Sequence, residues 1–404
     1  MACRESCPTG AIDTFENDEG FHEPRIVEAK CISCGKCSLV CPVLNPPSKH
    51  DFTPVGYSGW AKDDDVRLSS SSGGIFSILA RHVLRNGGVV FGVAFDDDFV
   101  ARHTRVDKIE DLPKLQGSKY VQADVGHVYR QVKDVLDDGR LVLFSGTPCQ
   151  VAALINYLGG RRENLILVDF VCHGVPSPRI FEDYKIWLKK HYGFSRFDTI
   201  QFRDKYYAWD LTSQRVRGTN ERGGKIEYIK AALFDVYRII FDVEDYSERK
   251  SCYQCSFTEK MRKADITIAD WWGGYKTEGR PEERSFAKKG VSLVLINSLR
   301  GAELFAAVKR ELFVLPRTLQ EIYKTNKCFH ESYPMPSRRK AFWDCYRVNG
   351  FEITVERFAV PRKWPFYIRL RVSMKVNVVT ILLWKIFETE YRIRHKVVRM
   401  LRLR

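Results

Sequence analysis

Apolar positions in the middle of the chain follow two periods, one typical of helices and one typical of buried strands. Apolar residues recur at helical spacing from Ile75 to Arg85, Gly87 and Gly88 interrupt them, and the run VVFGVAF follows. A short apolar run bounded by glycine predicts a buried strand. The segments RLVLFS, NLILVDF, ITIAD and VSLVLINS repeat this pattern, with helical patterns between or after them. The alternation predicts an α/β core with mostly parallel strands.

The loops that follow these predicted strands carry candidate chemistry. Cys149 comes shortly after RLVLFS, and Cys172 comes shortly after NLILVDF. Ligands of open α/β sheets bind outside the carboxyl ends of the strands, so we expect both loops at one edge of the sheet.

A cysteine-rich module precedes the core and is closed by the proline-rich linker NPPSKHDFTP. Its segment CISCGKCSLVCP has the full spacing C-x2-C-x2-C-x3-C-P, formed by Cys31, Cys34, Cys37, Cys41 and Pro42. This spacing is that of a bacterial ferredoxin cluster. Zinc is the alternative, but zinc ribbons separate two C-x2-C pairs by a long insertion. We therefore predict a small ferredoxin-like α+β domain that holds 4Fe-4S clusters.

The first residues, MACRESCPTGAI, resemble the rear half of the same motif, with Cys3 and Cys7 in its last two cysteine positions. In two-cluster ferredoxins the fourth cysteine of each run ligates the other cluster. Cys7 would then complete one site with Cys31, Cys34 and Cys37. Cys3 and Cys41 would hold only half a site. Either the module has one cluster and a remnant, or the front half of the motif lies upstream of Met1. We expect the second.

The charge of the chain is concentrated at its end. The formal net charge is +15, with 65 Lys+Arg and 50 Asp+Glu. Residues 362–404 contain 12 Lys+Arg and 2 Asp+Glu, a net +10, which leaves +5 for the other 361 residues. The apolar run there is shorter and more interrupted than the ~20 residues of a membrane span. Two interpretations of this segment are open. It could form a basic amphipathic helix at an anionic membrane surface, or a helix that docks on protein. Nucleic acid ranks last, because no recognition motif accompanies the charge.

The chain has twelve cysteines, many of them in C-x2-C units. This arrangement favours metal binding in a reducing cytoplasm over disulfides. The opening residues are polar and cysteine-rich rather than a secretory signal, so we expect a cytoplasmic protein.

A second set of four cysteines lies in the core, at Cys149, Cys172, Cys252 and Cys255. Their thiolates could close a second cluster site or hold a structural zinc. They could also be unrelated buried cysteines. The sequence alone leaves these three interpretations open. Two further cysteines, Cys328 and Cys345, stand alone and are interpreted as ordinary thiols.

The segment SSSSGGIFSIL places serine and glycine before a predicted helix. The free N–H groups of a helix N-terminus suit a phosphate. Serine is also a favoured helix N-cap, so a purely structural turn is equally consistent. The chain has neither G-x-G-x-x-G after a strand nor G-x4-G-K-[ST].

Several motifs together resemble the beta-subunit family of coenzyme F420 hydrogenase/dehydrogenase, from about Tyr57 to Leu312. The segments that carry the resemblance are SSGGIFSILARHVLRNGGVVFGVAF, LQGSKYVQAD, VLFSGTPCQVAAL, LVDFVCHGVPSP, SCYQCSF and KADITIADWWG. It implies N- and C-terminal regions of the beta-subunit type over 55–135 and 136–345, preceded by the ferredoxin-type domain over 1–46. The basic tail over 346–404 is identified by its charge and is not part of the family core.

The resemblance implies an iron–sulfur flavoprotein. It assigns a core 4Fe-4S cluster to Cys149, Cys172, Cys252 and Cys255. It implies FAD, with the phosphates near Ser71, Ser72, Gly73 and Gly74. It also suggests that Lys119 and Asp270 line the flavin, although a buried aspartate is often structural. His173 could tune the cluster or move a proton, or it could be a structural histidine.

The function implied is an oxidoreductase that passes electrons from a ferredoxin-like donor or a partner subunit through clusters to FAD and an organic substrate. The substrate could be coenzyme F420 or another small metabolite, including a precursor of a polysaccharide. A peripheral membrane contact through the basic tail would suit the latter. Two alternatives are a non-catalytic electron-transfer subunit and a zinc-stabilised binding protein. No catalytic residue is assigned.

Overall fold

The structure is a computed structural model that describes residues 1–272, 274 and 279–359, without the side chains of residues 284–287. The strands are β1 Ile12–Glu16, β2 His22–Ile26, β3 Val55–Ala61, β4 Val89–Phe95, β5 Ala101–Val106, β6 Val142–Gly146, β7 Leu165–Phe170, β8 Arg196–Asp204, β9 Ser213–Thr219, β10 Lys225–Ala231, β11 Ile266–Asp270, β12 Ser292–Ile296 and β13 Leu312–Arg317.

The helices alternate with the strands through much of the core. They are α1 Ala2–Ser6, α2 Lys36–Leu39, α3 Asp64–Ser69, α4 Ile75–Arg85, α5 Val128–Asp137, α6 Pro148–Tyr157, α7 Pro178–Tyr192, α8 Val236–Arg238, α9 Pro281–Phe286, α10 Leu299–Val308, α11 Leu319–Thr325 and α12 Arg339–Phe358. Helix α4 begins and ends at the residues that the apolar period in the sequence predicted.

The main sheet has eight strands in the order β13-β3-β12-β11-β7-β6-β4-β5. Its central strands β11, β7, β6 and β4 run parallel, while β5 on one side and β12, β3 and β13 on the other pair antiparallel. Val142, Leu143 and Phe144 are consecutive and all buried, because helices cover both faces of the sheet. The predicted α/β core with mostly parallel central strands is confirmed, and the antiparallel edges are an addition to it.

A second sheet, which the apolar pattern did not reveal, consists of β8, β9 and β10 in antiparallel order. Its strands are rich in charged residues and partly exposed, so they lack the continuous apolar runs of the main sheet. This sheet brings the segment around Arg203 and Lys205 toward the main sheet, where both side chains make contacts.

The cysteine-rich module packs tightly on the core. The Phe21 side chain is fully buried in the same apolar cluster as Ile180 and Phe181. The buried carboxylate of Glu5 accepts the backbone N–H groups of Tyr129 and Arg130 at 3.4 and 2.9 Å. These N–H groups belong to the first turn of α5, so Glu5 caps that helix and complements its dipole. The module is thereby fixed against helix α5 of the core.

The end of the described chain is helical. Residues 346–358, which the sequence assigns to the basic tail, lie in α12, and Phe351 and Val355 of this stretch are buried. The charged residues 362–404 lie outside the described residues, and so does the expected membrane contact. Within the described residues, none of the helices has the length and apolarity needed to cross a bilayer.

Candidate functional site

Three of the predicted site residues follow parallel strands that end at one edge of the main sheet. Strand β6 pairs with β7 up to Gly146 and Asp169, and β7 pairs with β11 up to Phe170 and Ile268. Cys149 lies just beyond β6, Cys172 lies just beyond β7, and Asp270 ends β11. The expectation that these loops share one edge is confirmed.

Cys149 is positioned by the first turn of α6. This helix starts with Pro148 after Thr147, whose backbone N–H donates to Gln150 Oε1 at 2.9 Å. The Thr147 hydroxyl lies 3.0 Å from Cys149 Sγ and shares a hydrogen bond with it. Burial raises the pKa of Cys149, and the hydrogen bond with the Thr147 hydroxyl offsets part of this rise. Hydrogen bonds to sulfur are typical of cluster ligands, so the location suits a sulfur that ligates a metal.

The loop of Cys172 is joined to the segment that carries Cys252. The Arg249 N–H donates to the Val175 carbonyl at 3.0 Å. Gly174 has φ +151°, and a Cβ there would come within 2.9 Å of Glu248 Cγ and 3.5 Å of Cys252 Cβ. Only glycine permits this approach, which brings the two cysteine-bearing segments together.

The four core thiols are close enough to interact electrostatically. Partial burial raises the pKa of Cys172 well above its ordinary value, and the Cys252, Cys149 and Cys255 thiols raise it further. Burial raises the pKa of Cys252 to about 12. Thiols in such surroundings stay protonated until a metal replaces the protons. The donor set therefore fits a metal group.

The predicted pairing of Cys7 with the later cysteine run has local support. The Thr9 hydroxyl donates to the Lys30 carbonyl at 2.8 Å, which brings the Cys7 turn to the start of the Cys31 loop. The Ala11 N–H donates to Cys7 Sγ at 3.2 Å. The hydrogen bond with the Thr9 hydroxyl lowers the pKa of Cys7. Hydrogen bonds to sulfur are typical of cluster ligands.

The remaining two cysteines of the module, Cys3 and Cys41, lie close enough to interact. Burial raises the pKa of Cys3, and the Cys41 thiol raises it further. The Met1 amino group, whose pKa burial lowers, interacts with the thiols of both Cys3 and Cys149. Cys3 therefore lies near Cys149 of the core.

The serine–glycine loop lies at the same edge of the sheet. Gly73 N–H donates to Ser292 Oγ at 2.8 Å, and Ser292 pairs with Asp270 in the sheet. A Cβ on Gly73 would lie 2.5 Å from the Gly59 carbonyl oxygen, so the backbone packs directly on β3. Gly74, with φ +89°, precedes α4. The Gly73 N–H is therefore used inside the protein.

The Lys119 segment adjoins this loop. Ser71 Oγ accepts hydrogen bonds from the Ser118 N–H and hydroxyl at 2.8 and 3.0 Å. The Lys119 ammonium donates to the carbonyls of Lys114 and Gln116 at 3.0 and 2.7 Å. Burial lowers the pKa of Lys119 to about 7. Among the described residues, no carboxylate pairs with it, so it is available to an anion.

A second half-buried lysine, which the sequence motifs did not reveal, lies on the other side of the loop. Lys205 Nζ donates to the carbonyls of Arg67, Ser72 and Lys289 at 2.5, 2.7 and 2.7 Å. Burial, with the nearby charges of Arg203 and Arg67, lowers the pKa of Lys205 to about 7. The sequence feature that could have indicated Lys205 is the segment FRDKYY, which mixes basic and aromatic residues.

Asp270 already has partners inside the protein. Its carboxylate accepts from Arg203 at 2.5 and 3.1 Å and from Trp209 Nε1 at 3.1 Å. The Arg203 guanidinium lies 4.7 Å from the ring centroid of Trp272, which stacks on Trp209. Asp270 thus holds Arg203 and Trp209 beside the serine–glycine loop. Its contact with a flavin stays a prediction.

His173 faces two carboxylates. Its Nε2 lies 2.6 Å from Asp245 Oδ1 and 3.5 Å from Glu248 Oε1. Burial opposes the charged ring, but Asp245, Cys328 and Glu248 together outweigh burial and raise the pKa of His173. Cys328, interpreted as an ordinary thiol, is buried and also contacts His173.

Comparison with known families covers most of the described chain. Residues 139–318 match the model for the C-terminal part of the "Coenzyme F420 hydrogenase/dehydrogenase, beta subunit". Residues 56–129 match the corresponding N-terminal model. The chain belongs to this family. Residues 1–45 match a 4Fe-4S dicluster domain. The resemblance inferred from the sequence motifs is confirmed, and by its description the family is one of oxidoreductase subunits.

Two similar proteins come from the genus Methanosarcina. A subunit of the F(420)H(2) dehydrogenase of Methanosarcina mazei is 24% identical over 176 residues, which are 41% of this chain. The chain spans about half the length of that relative, 50%. A protein in the F420-reducing [NiFe] hydrogenase complex from Methanosarcina barkeri gives a TM-score of 0.43 at 15% identity, over 75% of this chain and 94% of that one.

Proposed function

We propose that this protein is an iron–sulfur flavoprotein oxidoreductase that connects a one-electron donor to an organic substrate. The observation that supports this best is the common sheet edge of the Cys149 and Cys172 loops and the Ser71–Gly74 loop. Neighbouring strands lie about 4.8 Å apart, so β12 and β3 stand roughly 10–14 Å from β7. A cluster and a flavin held there would be close neighbours.

The cofactors and the residues that would hold them follow from the contacts. When bound, clusters transfer single electrons and a flavin can pass a hydride. Cys149, Cys172, Cys252 and Cys255 would hold the core 4Fe-4S cluster. Cys7, with the Cys31, Cys34 and Cys37 thiols, would hold a cluster of the N-terminal module. Lys119 would orient the FAD phosphates beside the serine–glycine loop, and Lys205, whose three N–H groups are held by backbone carbonyls, would support the loop from its other side.

The N-terminal module offers a surface for an electron donor. Cys31 and Cys34 are exposed, and the apolar side chains around them are exposed too. These are Ile32, Leu39, Val43 and Leu44, exposed by 63, 68, 63 and 66%. An apolar patch of this kind typically marks a contact with another protein. A ferredoxin-like protein or a partner subunit in the cytoplasm would suit it.

Coenzyme F420 is the first substrate to test, because the family is described by it. A small metabolite, such as a polysaccharide precursor handled near a membrane, is the other substrate class. The basic and aromatic side chains of Arg203 and Trp272 beside the loop would favour a planar or anionic substrate.

The first test is anaerobic purification with assays of iron, sulfide, zinc and flavin, followed by reduction assays with F420 and other acceptors. We expect about eight irons per chain, from two four-iron clusters, and one FAD. Zinc without iron or flavin would exclude the redox function. The same assays on a chain extended upstream would show about twelve irons if a further pair of ligands precedes Met1.

A second candidate is a non-catalytic electron-transfer subunit. The Gly73 N–H already donates to Ser292 Oγ, which reduces the donors that this loop can offer to a phosphate. Such a subunit would bind iron without flavin and would reduce no small molecule unless a partner were added.

Lys119 predicts a specific pH dependence of FAD binding. Burial lowers its pKa to about 7 in the free protein, and a bound phosphate would raise it. FAD affinity should therefore be highest at or below about pH 7 and fall as pH rises, by up to about tenfold per pH unit for each linked proton. Flavin fluorescence titration between about pH 6 and 9 measures this.

The Lys119→Met variant should lower by about one the number of protons linked to FAD binding. It should also weaken FAD binding near neutral pH. Lys114→Met is the matched control, because Lys114 is exposed and pairs with Asp111 at 2.7 Å. An unchanged pH slope in Lys119→Met would place the flavin phosphates away from Lys119.

A further inference from the structure

Three metal-ligating side chains meet beside the core cysteines without being part of that set. His173 lies in the loop after β7, and Asp245 and Glu248 lie in the segment before Cys252. One ligand atom from each of the three lies within 4.8 Å of the other two. His173 is 72 positions from Asp245 along the chain, so the fold alone assembles the group.

The buried carboxylate of Glu248 points to a missing partner. Its side chain is 2% exposed, and its Oε1 atom has no hydrogen-bond partner in the part of the chain that the structure describes. His173 Nε2 lies 2.6 Å from Asp245 Oδ1 and forms a longer ion-pair contact of 3.5 Å with Glu248 Oε1. A buried acceptor without a hydrogen bond is costly. A cation between the three side chains would satisfy both carboxylates and the imidazole nitrogen at once.

An outer layer of hydrogen bonds holds the carboxylates. The Tyr253 hydroxyl lies 3.0 Å from Glu248 Oε2 and 2.5 Å from the Asp245 carbonyl oxygen. Arg339 donates to the Tyr253 hydroxyl at 3.2 Å and to the Glu248 carbonyl at 2.8 Å. Metal-ligating carboxylates are typically oriented by such second contacts.

We propose that His173, Asp245 and Glu248 form a mononuclear site for a divalent transition-metal ion, next to the core cluster cysteines and separate from them. One imidazole nitrogen and two carboxylate oxygens suit Mn²⁺, Fe²⁺ or Zn²⁺, whereas Mg²⁺ and Ca²⁺ prefer oxygen alone. Three protein ligands leave further positions for water. The site does not depend on the proposed flavin.

The test uses Mn²⁺ as the probe on the full chain with its clusters in the oxidised state. Thiolates bind Mn²⁺ poorly, so unfilled cysteines do not compete. Loss of the free Mn²⁺ EPR signal should report one bound ion per chain. Glu248→Gln should weaken binding at least about tenfold while iron and cluster absorbance stay unchanged.

Glu244→Gln is the matched control, because Glu244 lies on the same segment, accepts from the Tyr246 hydroxyl at 3.0 Å and is outside the three-residue group. It should bind Mn²⁺ like the wild type. If Glu248→Gln loses cluster iron, Asp245→Asn replaces it. Wild-type protein with intact clusters that binds no Mn²⁺ would overturn the proposal, as would equal binding by the Glu248 and Glu244 variants.

Discussion

Replacing Cys172 by serine is expected to remove the core cluster, and with it about four of the eight irons expected per chain. Cys172 lies among the Cys149, Cys252 and Cys255 thiols, which raise its pKa together with burial. With one ligand gone, three thiols from two segments would have to hold the cluster in a partly buried place. The visible absorbance should fall in proportion, and reduction of any organic acceptor should be lost.

Cys345→Ser is the control for this experiment. Cys345 lies in α12, where its sulfur contacts Asn349 and Arg357 at 3.6 and 3.9 Å. This variant should keep its iron and its activity. Full iron content in Cys172→Ser, with wild-type absorbance, would show that the core cluster is not held by this set.

Replacing Arg339 by methionine should lower the free energy of unfolding by about 3–5 kcal/mol, the usual cost of removing one partner of a buried ion pair. Arg339 is 3% exposed and donates to both carboxylate oxygens of Glu19 at 2.7 and 2.5 Å. Glu19 belongs to the N-terminal module, and Arg339 also holds the Tyr253 and Glu248 segment. The substitution therefore weakens the contacts between the N-terminal module and the core site.

Denaturant unfolding of the iron-loaded protein measures this effect, and hydrogen exchange of residues 12–26 shows where it acts. Lys340→Met is the control, because Lys340 is 87% exposed and pairs only at the surface with Asp344. A double-mutant cycle with Glu19→Gln isolates the pair itself. A loss below about 1 kcal/mol in Arg339→Met would mean that other contacts hold the module.

The sequence was most informative where the structure is local. The helix Ile75–Arg85 and the strand Val89–Phe95 follow directly from their apolar periods, because each period reports the face that a single element buries. The cysteine spacing and the family motifs were equally direct, since a cluster loop and a strand-end loop are short continuous segments. The family, the 4Fe-4S module and the α/β core were therefore accessible from the residues alone.

Long-range packing decided the rest. The antiparallel edges of the sheet and the β8–β10 sheet depend on which strands pair, and apolar periods do not encode pairing partners. Lys205 reaches the Ser72 carbonyl from 133 residues away, and Glu5 caps α5 from a separate module. The sequence by itself thus determined the elements and the chemistry that each loop carries. Only the tertiary structure decided which loops share a site, because contacts between distant residues follow from strand order and packing and not from local period.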